Sequence, residues 1–163
     1  MTADEFRERL DRLSVAPNAI TAAVAGVPEV VLDFKPSPEK WSIREIVAHL
    51  ADVEVIYGYR LRQMLADDKP QIAPVDQDNW AKNLNYRGAS LTGSLEQYTA
   101  LRRGNLRVLR QIEVTDLARG AFHPERGRAV TVEELLTAMV IHDPNHLQQI
   151  EKLKEQARAA QPT

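Results

Sequence analysis

Apolar residues recur every three or four positions along four long stretches of the chain, as they do on the buried side of a helix. The last three stretches each begin with serine or threonine and carry glutamate or glutamine three residues later, a capping box that satisfies free amide groups at a helix start. We therefore predict an all-α protein with four long helices. Their expected spans are residues 3–25, 43–67, 94–113 and 131–154.

Prolines mark the places where this helical pattern is interrupted. Pro17 lies inside the first stretch, and because proline removes one backbone hydrogen bond, we expect a kink or break near residues 14–16. The connection 69–93 contains two more prolines, and a short helix within it could carry Trp80 and Tyr86 on a buried side. This connection is longer than antiparallel neighbours need, so we expect it to cross the bundle end and let the second and third long helices run parallel.

Two polar groups of residues are expected to face solvent. Residues 120–130 contain glycines that predict a short hairpin or extended loop, and His123 should be exposed there because Pro124 follows it. A row of arginines lies on what the pattern predicts to be the outer face of the third helix. In a slightly acidic protein such a row is usually solvated, and we assign no function to Arg102, Arg103, Arg107 and Arg110.

Length and composition describe an ordinary globular protein. The 163 residues predict one domain over residues 1–163, with a frayed tail from about residue 156. A hydrophobic share of 44%, a charged share of 27% and a net charge of −2 give no electrostatic case for nucleic acid. No apolar run is long enough to cross a membrane, and the charged N-terminal stretch is unlike a signal peptide, so we expect a cytoplasmic protein.

Histidine is the residue type that carries the candidate chemistry. The chain has no cysteine and four histidines, so a metal would be held by nitrogen and oxygen. His142 and His146 lie four residues apart in the apolar stripe of the last helix, close enough for two imidazoles to converge on one ion. His49 lies on the inward stripe of the second helix and is the candidate third ligand.

Burial of these three imidazoles requires an explanation, because each ring nitrogen in a core must find a partner. One metal ion bound by His49, His142 and His146 supplies it, and the alternative is a hydrogen-bonded histidine cluster with trapped water. Pro144 lies between two of the candidate ligands and cannot donate to the carbonyl of Val140. A local kink there would change the geometry of the site.

Two segments together resemble a known family. The segments EKWSIREIVAHLADVE and IHDPNHLQQIEKLK are similar to those of the DinB-like superfamily, and the resemblance extends over nearly the whole chain. It implies a four-helix bundle with up-down-down-up topology and one divalent metal ion, commonly nickel or zinc, held by three histidines. At matching positions those ligands are His49, His142 and His146. Pro144 and Asn145 depart from the family pattern just before the last ligand.

The resemblance also implies an activity class. We expect a metal-dependent enzyme acting on a small molecule, either a thiol S-transferase of the bacillithiol or mycothiol type or a hydrolase, and a homodimer is compatible with it. The alternative is a non-catalytic metal-binding or stress-associated bundle that works through dimerisation. No catalytic residue is assigned, since Asp52, Glu54 and Asp143 are expected to be solvated or to lie behind the ligands. Trp41 and Tyr57 could line a pocket.

Overall fold

The helices and strands follow the predicted order closely. A computed structural model describes residues 1–160, so the end of the predicted tail, 161–163, lies outside the described residues. The helices are α1 Ala3–Val24, α2 Glu29–Leu32, α3 Ile43–Ala66, α4 Gln77–Asn83, α5 Leu91–Leu109 and α6 Val132–Ala159. The strands β1 Gly120–His123 and β2 Arg128–Thr131 form an antiparallel hairpin, and 3₁₀ turns span Tyr86–Gly88, Val114–Ala118 and Pro124–Arg126. None of the helices in this part of the chain is long and apolar enough to cross a membrane.

The first and last long helices run parallel. Arg9, in the first half of α1, donates a hydrogen bond to Thr137 near the start of α6. Lys154, near the end of α6, donates to the carbonyl of Ala23 at the end of α1, with 2.9 Å between the two atoms. The first half of α1 therefore contacts the start of α6, and the end of α1 contacts the end of α6, as in a parallel pair.

The two middle helices, α3 and α5, are also parallel to each other. Gln97 in the first half of α5 lies 3.4 Å from a carboxylate oxygen of Asp52. Further along both helices, Arg62 donates to the side chain of Asn105 over 2.9 Å. The long connection 67–90, which contains α4, does not simply cross the bundle end as expected. It returns along α3, since Ala73 lies beside Arg60 and Tyr86 lies beside Asp52, and this return makes the parallel arrangement possible.

Contacts between α3 and α6 run in opposite order. His49 packs against His146, whereas Tyr57, two turns later on α3, packs against His142, one turn earlier on α6. These helices are antiparallel, so α1 and α6 point one way while α3 and α5 point the other. The predicted four-helix bundle with up-down-down-up topology is confirmed.

The buried interior has two apolar parts separated by a polar layer. One part includes Leu13, Leu61 and Met139, and the other includes Ile20, Ile46 and Ile150. Between them, at the middle of the helices, lie buried polar side chains from three helices: His49, Glu54, Arg102, Asn105 and Asp143. The candidate site is part of this layer.

Of the kink or break expected near residues 14–16, the break does not occur, because α1 is continuous from Ala3 to Val24. Proline at this position leaves the carbonyl of Leu13 without its usual helical donor. The buried guanidinium of Arg102 supplies the missing hydrogen bond across 3.1 Å. A donor from a neighbouring helix therefore replaces the one that proline lacks.

Three predicted helix boundaries are also wrong, and one of them is the end of α5, which lies at Leu109 rather than residue 113. The helix α5 begins at Leu91 rather than residue 94, because Ser90 accepts the amide hydrogen of Gly93 over 3.1 Å and caps the helix earlier. At the other end of the chain, α6 continues to Ala159, and Ala157 is buried against the bundle. The last helix therefore extends past residue 156, where a frayed tail was expected to begin.

The two predictions of solvent exposure need correction. Arg102 is only 1% exposed and lies in the polar layer, while its neighbour Arg103 is exposed as expected. His123 is 8% exposed, because it ends strand β1 of the hairpin, which packs against the connection after α3. Trp80 on α4 is half-buried and Tyr86 is buried, but Tyr86 lies in the 3₁₀ turn after α4 rather than on the same short helix, where it was expected.

Candidate metal centre

Three imidazole rings meet at the middle of the bundle. The Nε2 atom of His142 lies 3.1 Å from Nε2 of His49 and 3.2 Å from Nε2 of His146. Nitrogens that share one tetrahedral ion at the usual bond length of about 2.0–2.1 Å stand about 3.3 Å apart. The spacings of the His49 and His146 Nε2 atoms from that of His142 therefore fit neighbouring positions in the ligand shell of one metal ion. The candidate ligand atoms of all three histidines lie within 4.8 Å of one another, so this group could hold one.

The electrostatics of the layer keep these rings neutral. Burial, with the charges of the two other histidines, lowers the pKa of His49 to about 3. Burial and the charge of His146 likewise lower the pKa of His142 to about 4, although Asp143 acts against the shift. The pKa of His146 is also lowered by burial. Neutral imidazole is the form that binds metal, so no proton has to be displaced near neutral pH.

Neighbouring side chains orient two of the rings. Gln149, three residues after His146, accepts a hydrogen bond from its Nδ1 atom over 3.0 Å, which leaves the lone pair on Nε2. Trp41 stacks at a tilt on His49, with 4.7 Å between ring centroids. Both contacts restrict the rings to orientations that direct Nε2 toward the shared centre.

A buried charge network lies beside the histidines. The guanidinium of Arg102 donates to Glu54 and to Asp143, each over 2.7 Å. Tyr98 donates to Asp143 over 2.9 Å, and Asn105 donates to Glu54 over 3.0 Å. Burial opposes the charged form of Arg102, yet these carboxylates raise its pKa above the ordinary value. The network holds one arginine between two carboxylates.

A cavity of about 200 Å³ opens beside His142. Its polar lining includes Tyr57, Arg60, Gln77 and His123. A second cavity of about 220 Å³ shares these four residues and continues along the hairpin, so the two form one groove, which we call the His142 groove. Burial raises the pKa of Tyr57 to about 12, so its phenol is a neutral donor at the metal-facing end.

The residues considered for proton transfer lie elsewhere. Asp52 accepts from Tyr86 over 2.7 Å on the side of α3 that faces α5. Glu54 and Asp143 are occupied by Arg102, so they are buried rather than solvated. Trp41 and Tyr57 each contact a candidate ligand, as expected of residues that line a pocket.

The polar layer was not anticipated, although a pattern in α5 points to it. Arg102 lies four residues after Tyr98 and four before Leu106, two residues that are buried on the inward face. This spacing places Arg102 on the core face. An arginine on an apolar stripe predicts buried carboxylate partners, but the stripe does not identify them.

All three candidate ligands fall inside a stretch that matches a known protein family. The family model described as the DinB superfamily matches residues 12–150. The chain belongs to the DinB superfamily. The match includes all of α3 and α5 and the part of α6 that carries His142 and His146, so both ligand-bearing helices are DinB elements.

Curated DinB relatives resemble the chain over most of its length. One, from Bacillus subtilis strain 168 and named "Putative metal-dependent hydrolase YfiT", is 28% identical over 141 residues, which cover 86% of this chain and 79% of the relative. Another, from Geobacillus thermodenitrificans and named "Putative metal-dependent hydrolase", is 28% identical over 154 residues, covering 94% and 86%.

A solved DinB structure resembles the whole bundle. YfiT from Bacillus subtilis, described as "a probable metal-dependent hydrolase with an unusual four-helix bundle topology", superposes with a TM-score of 0.90 at 25% identity. The superposition covers 96% of this chain and 89% of that one. The parallel helix pairs described above are therefore part of a shared topology.

Proposed function

We propose that this DinB protein is a metal-dependent enzyme that acts on a small molecule, with one divalent ion held by His49, His142 and His146. The observation that supports it most directly is that the Nε2 atoms of His49 and His146 lie 3.1 and 3.2 Å from that of His142. Lowered pKa values and the orienting contact of Gln149 add to that support. The names of the curated relatives agree with a metal-dependent activity.

A catalytic role is favoured over a structural one by the number of ligands. Within residues 1–160, the group of candidate donor side chains contains three members. Structural zinc sites close their shell with four protein ligands, whereas catalytic sites use three and keep one position open. A divalent ion in such a site acts as a Lewis acid and lowers the pKa of a bound water or thiol. The His142 groove gives a small molecule access to that position.

The reaction class follows from the same features. We propose either hydrolysis of a small molecule or transfer of a low-molecular-weight thiol of the bacillithiol or mycothiol type. Both reactions require a polarising ion beside a small cavity, and Tyr57 offers a neutral hydrogen-bond donor there. Nickel or zinc is the proposed ion, since neutral imidazole suits both.

Elemental analysis of the purified, tag-free protein tests the metal site. We expect about one equivalent of metal in the parent protein and almost none in the double variant His142→Ala, His146→Ala. His123→Ala is the matched control, because it removes a buried histidine that lies outside the ligand group, and it should keep the metal. Equal metal content in the parent and the double variant would refute the site.

Activity is tested next with the metal-loaded protein. Ester and amide hydrolysis and the conjugation of bacillithiol or mycothiol to electrophiles should be measured with the parent and with His49→Ala. We expect turnover in one of these assays that is lost both in the variant and after chelation. A metal-loaded parent that turns over none of these substrates would contradict the enzymatic proposal while leaving the metal site intact.

A further inference from the structure

Arg60 brings an uncompensated positive charge to the His142 groove. It lies on α3 three residues after Tyr57, and its Nη2 atom donates to the carbonyl of Ala73 over 2.8 Å. Among residues 1–160, no carboxylate lies within ion-pair distance of it, whereas Arg102 contacts two carboxylates and Arg128 contacts one. Its remaining guanidinium donors are therefore available to a ligand.

His123 adds an unused hydrogen-bonding atom to the same groove. It is 8% exposed, and its Nδ1 atom is buried without a partner in the part of the chain that the structure describes. The residue lines both cavities of the groove together with Arg60. A buried polar atom normally has a partner, so an oxygen of a bound molecule is a suitable one.

The net charge of the side chains that line the groove indicates which anionic group of a ligand fits it. Arg60 and Arg126 line the groove with two positive charges, while Glu125 contributes a negative one. Glu134 also lines it but is bound by Arg128 over 2.7 Å. One positive charge remains in excess. A carboxylate, with one negative charge and two oxygens, matches this lining and the planar fork of arginine, whereas a doubly charged phosphate is disfavoured by Glu125.

We propose that the groove binds the carboxylate of a small organic acid through Arg60 and His123, with the reactive end of the acid directed to the metal beside His142. The substrate class of the enzyme is thus a monocarboxylate. This inference rests on the proposed metal-dependent function. Tyr57 lies between the two ends, in edge contact with His142 and about one helical turn from Arg60.

Thiol probes on the cobalt-loaded protein measure the contribution of the carboxylate. The affinities of mercaptoacetate, mercaptopropionate and mercaptobutyrate are each compared with that of the primary amide of the same length. Binding is followed by the thiolate-to-cobalt charge-transfer absorption. We expect one acid to bind at least about tenfold tighter than its amide, because charge-assisted hydrogen bonds are the strong ones. Acids and amides that bind equally at every length would overturn the proposal.

Substitutions in the groove test whether its side chains cause the tighter binding of the acid. Arg60→Gln should reduce the preference for the acid to less than about threefold, and His123→Phe should weaken it part of the way. Arg103→Gln makes the same change of charge on an exposed part of α5 and should leave it unaltered. A preference that survives Arg60→Gln would overturn the proposal, as would a phosphonate of matching length that binds tighter than the acid.

A metal-free measurement separates this inference from the proposed function. Butyrate is titrated into the metal-free protein, and the ring resonances of His123 are followed, with His123→Phe used to assign them. We expect the resonances to shift in the parent and not in Arg60→Gln. Their failure to shift in the parent refutes the carboxylate site, whereas failure of the parent to bind cobalt refutes the metal site alone.

Discussion

Replacing Arg102 with methionine tests the buried charge network most directly. Methionine fills a similar apolar volume but leaves Glu54 and Asp143 as buried carboxylates without a cation, and the carbonyl of Leu13 without its donor. Breaking a buried ion pair by removing one partner costs about 3–5 kcal/mol. Because both carboxylates lose the same cation, we expect the free energy of unfolding at pH 7 to fall by at least about 3 kcal/mol.

The pH dependence of that loss gives the sharper test. Without Arg102, the folded state contains two buried carboxylates with no cation beside them, and adding a proton to either one removes a buried charge. The folded state then binds protons more readily, so lowering the pH stabilises it relative to the unfolded state. The difference between Arg102→Met and the parent should therefore shrink as the pH falls from about 7 toward 5.

Urea unfolding followed by circular dichroism measures this difference at each pH. Arg103→Met is the matched control, since it makes the same change one residue later on the exposed face of α5, and it should remain within about 0.5 kcal/mol of the parent. The reasoning is refuted if Arg102→Met unfolds like the control at pH 7, or if its deficit does not depend on pH.

Three further predictions follow from the site and the helix ends. Gln149→Leu removes the acceptor for His146 and should weaken metal affinity about 10–100-fold, as measured by competition with a chromophoric chelator; unchanged affinity would show that the glutamine does not orient the ring. Ser90→Ala should cost about 1 kcal/mol in urea unfolding and Ser94→Ala only a few tenths, and the reverse order would mean that α5 begins where the sequence pattern placed it. The lowered pKa of His49 means that the unfolded chain binds protons more readily, so the metal-free protein should lose stability as the pH falls from about 6.5 toward 4. His49→Phe should lose less over the same range, and equal losses in urea unfolding would contradict the shift.

The helices and the three candidate ligands were predictable because they depend on local periodicity. His49, His142 and His146 all lie on apolar stripes, and a stripe fixes which side of a helix turns inward regardless of what packs there. The capping boxes at Ser42 and Thr131 likewise depend on residues three positions apart. Such features need no knowledge of the rest of the fold.

The polar layer and the groove depend on contacts between distant elements. The stripe of α5 places Arg102 on the core face, but Arg102 was expected in solvent because no local pattern identifies Glu54 and Asp143, which meet it from α3 and α6. The same applies to His123, whose burial comes from a hairpin packed against residues after α3. The carbonyl of Leu13 also illustrates this point, because its donor lies 89 residues away.

The position of the ligands along the chain has a consequence for biosynthesis. His49 and His142 are separated by 93 residues, and two of the three ligands lie on the last helix. A nascent chain holds one candidate ligand until α6 has left the ribosome, so a site of this kind forms only after the other three long helices have been made. An ion bound there would link α3 to α6 and close the long loop of chain between them, as a covalent cross-link does. Metal uptake would thus report that α6 has been made and has packed against α3.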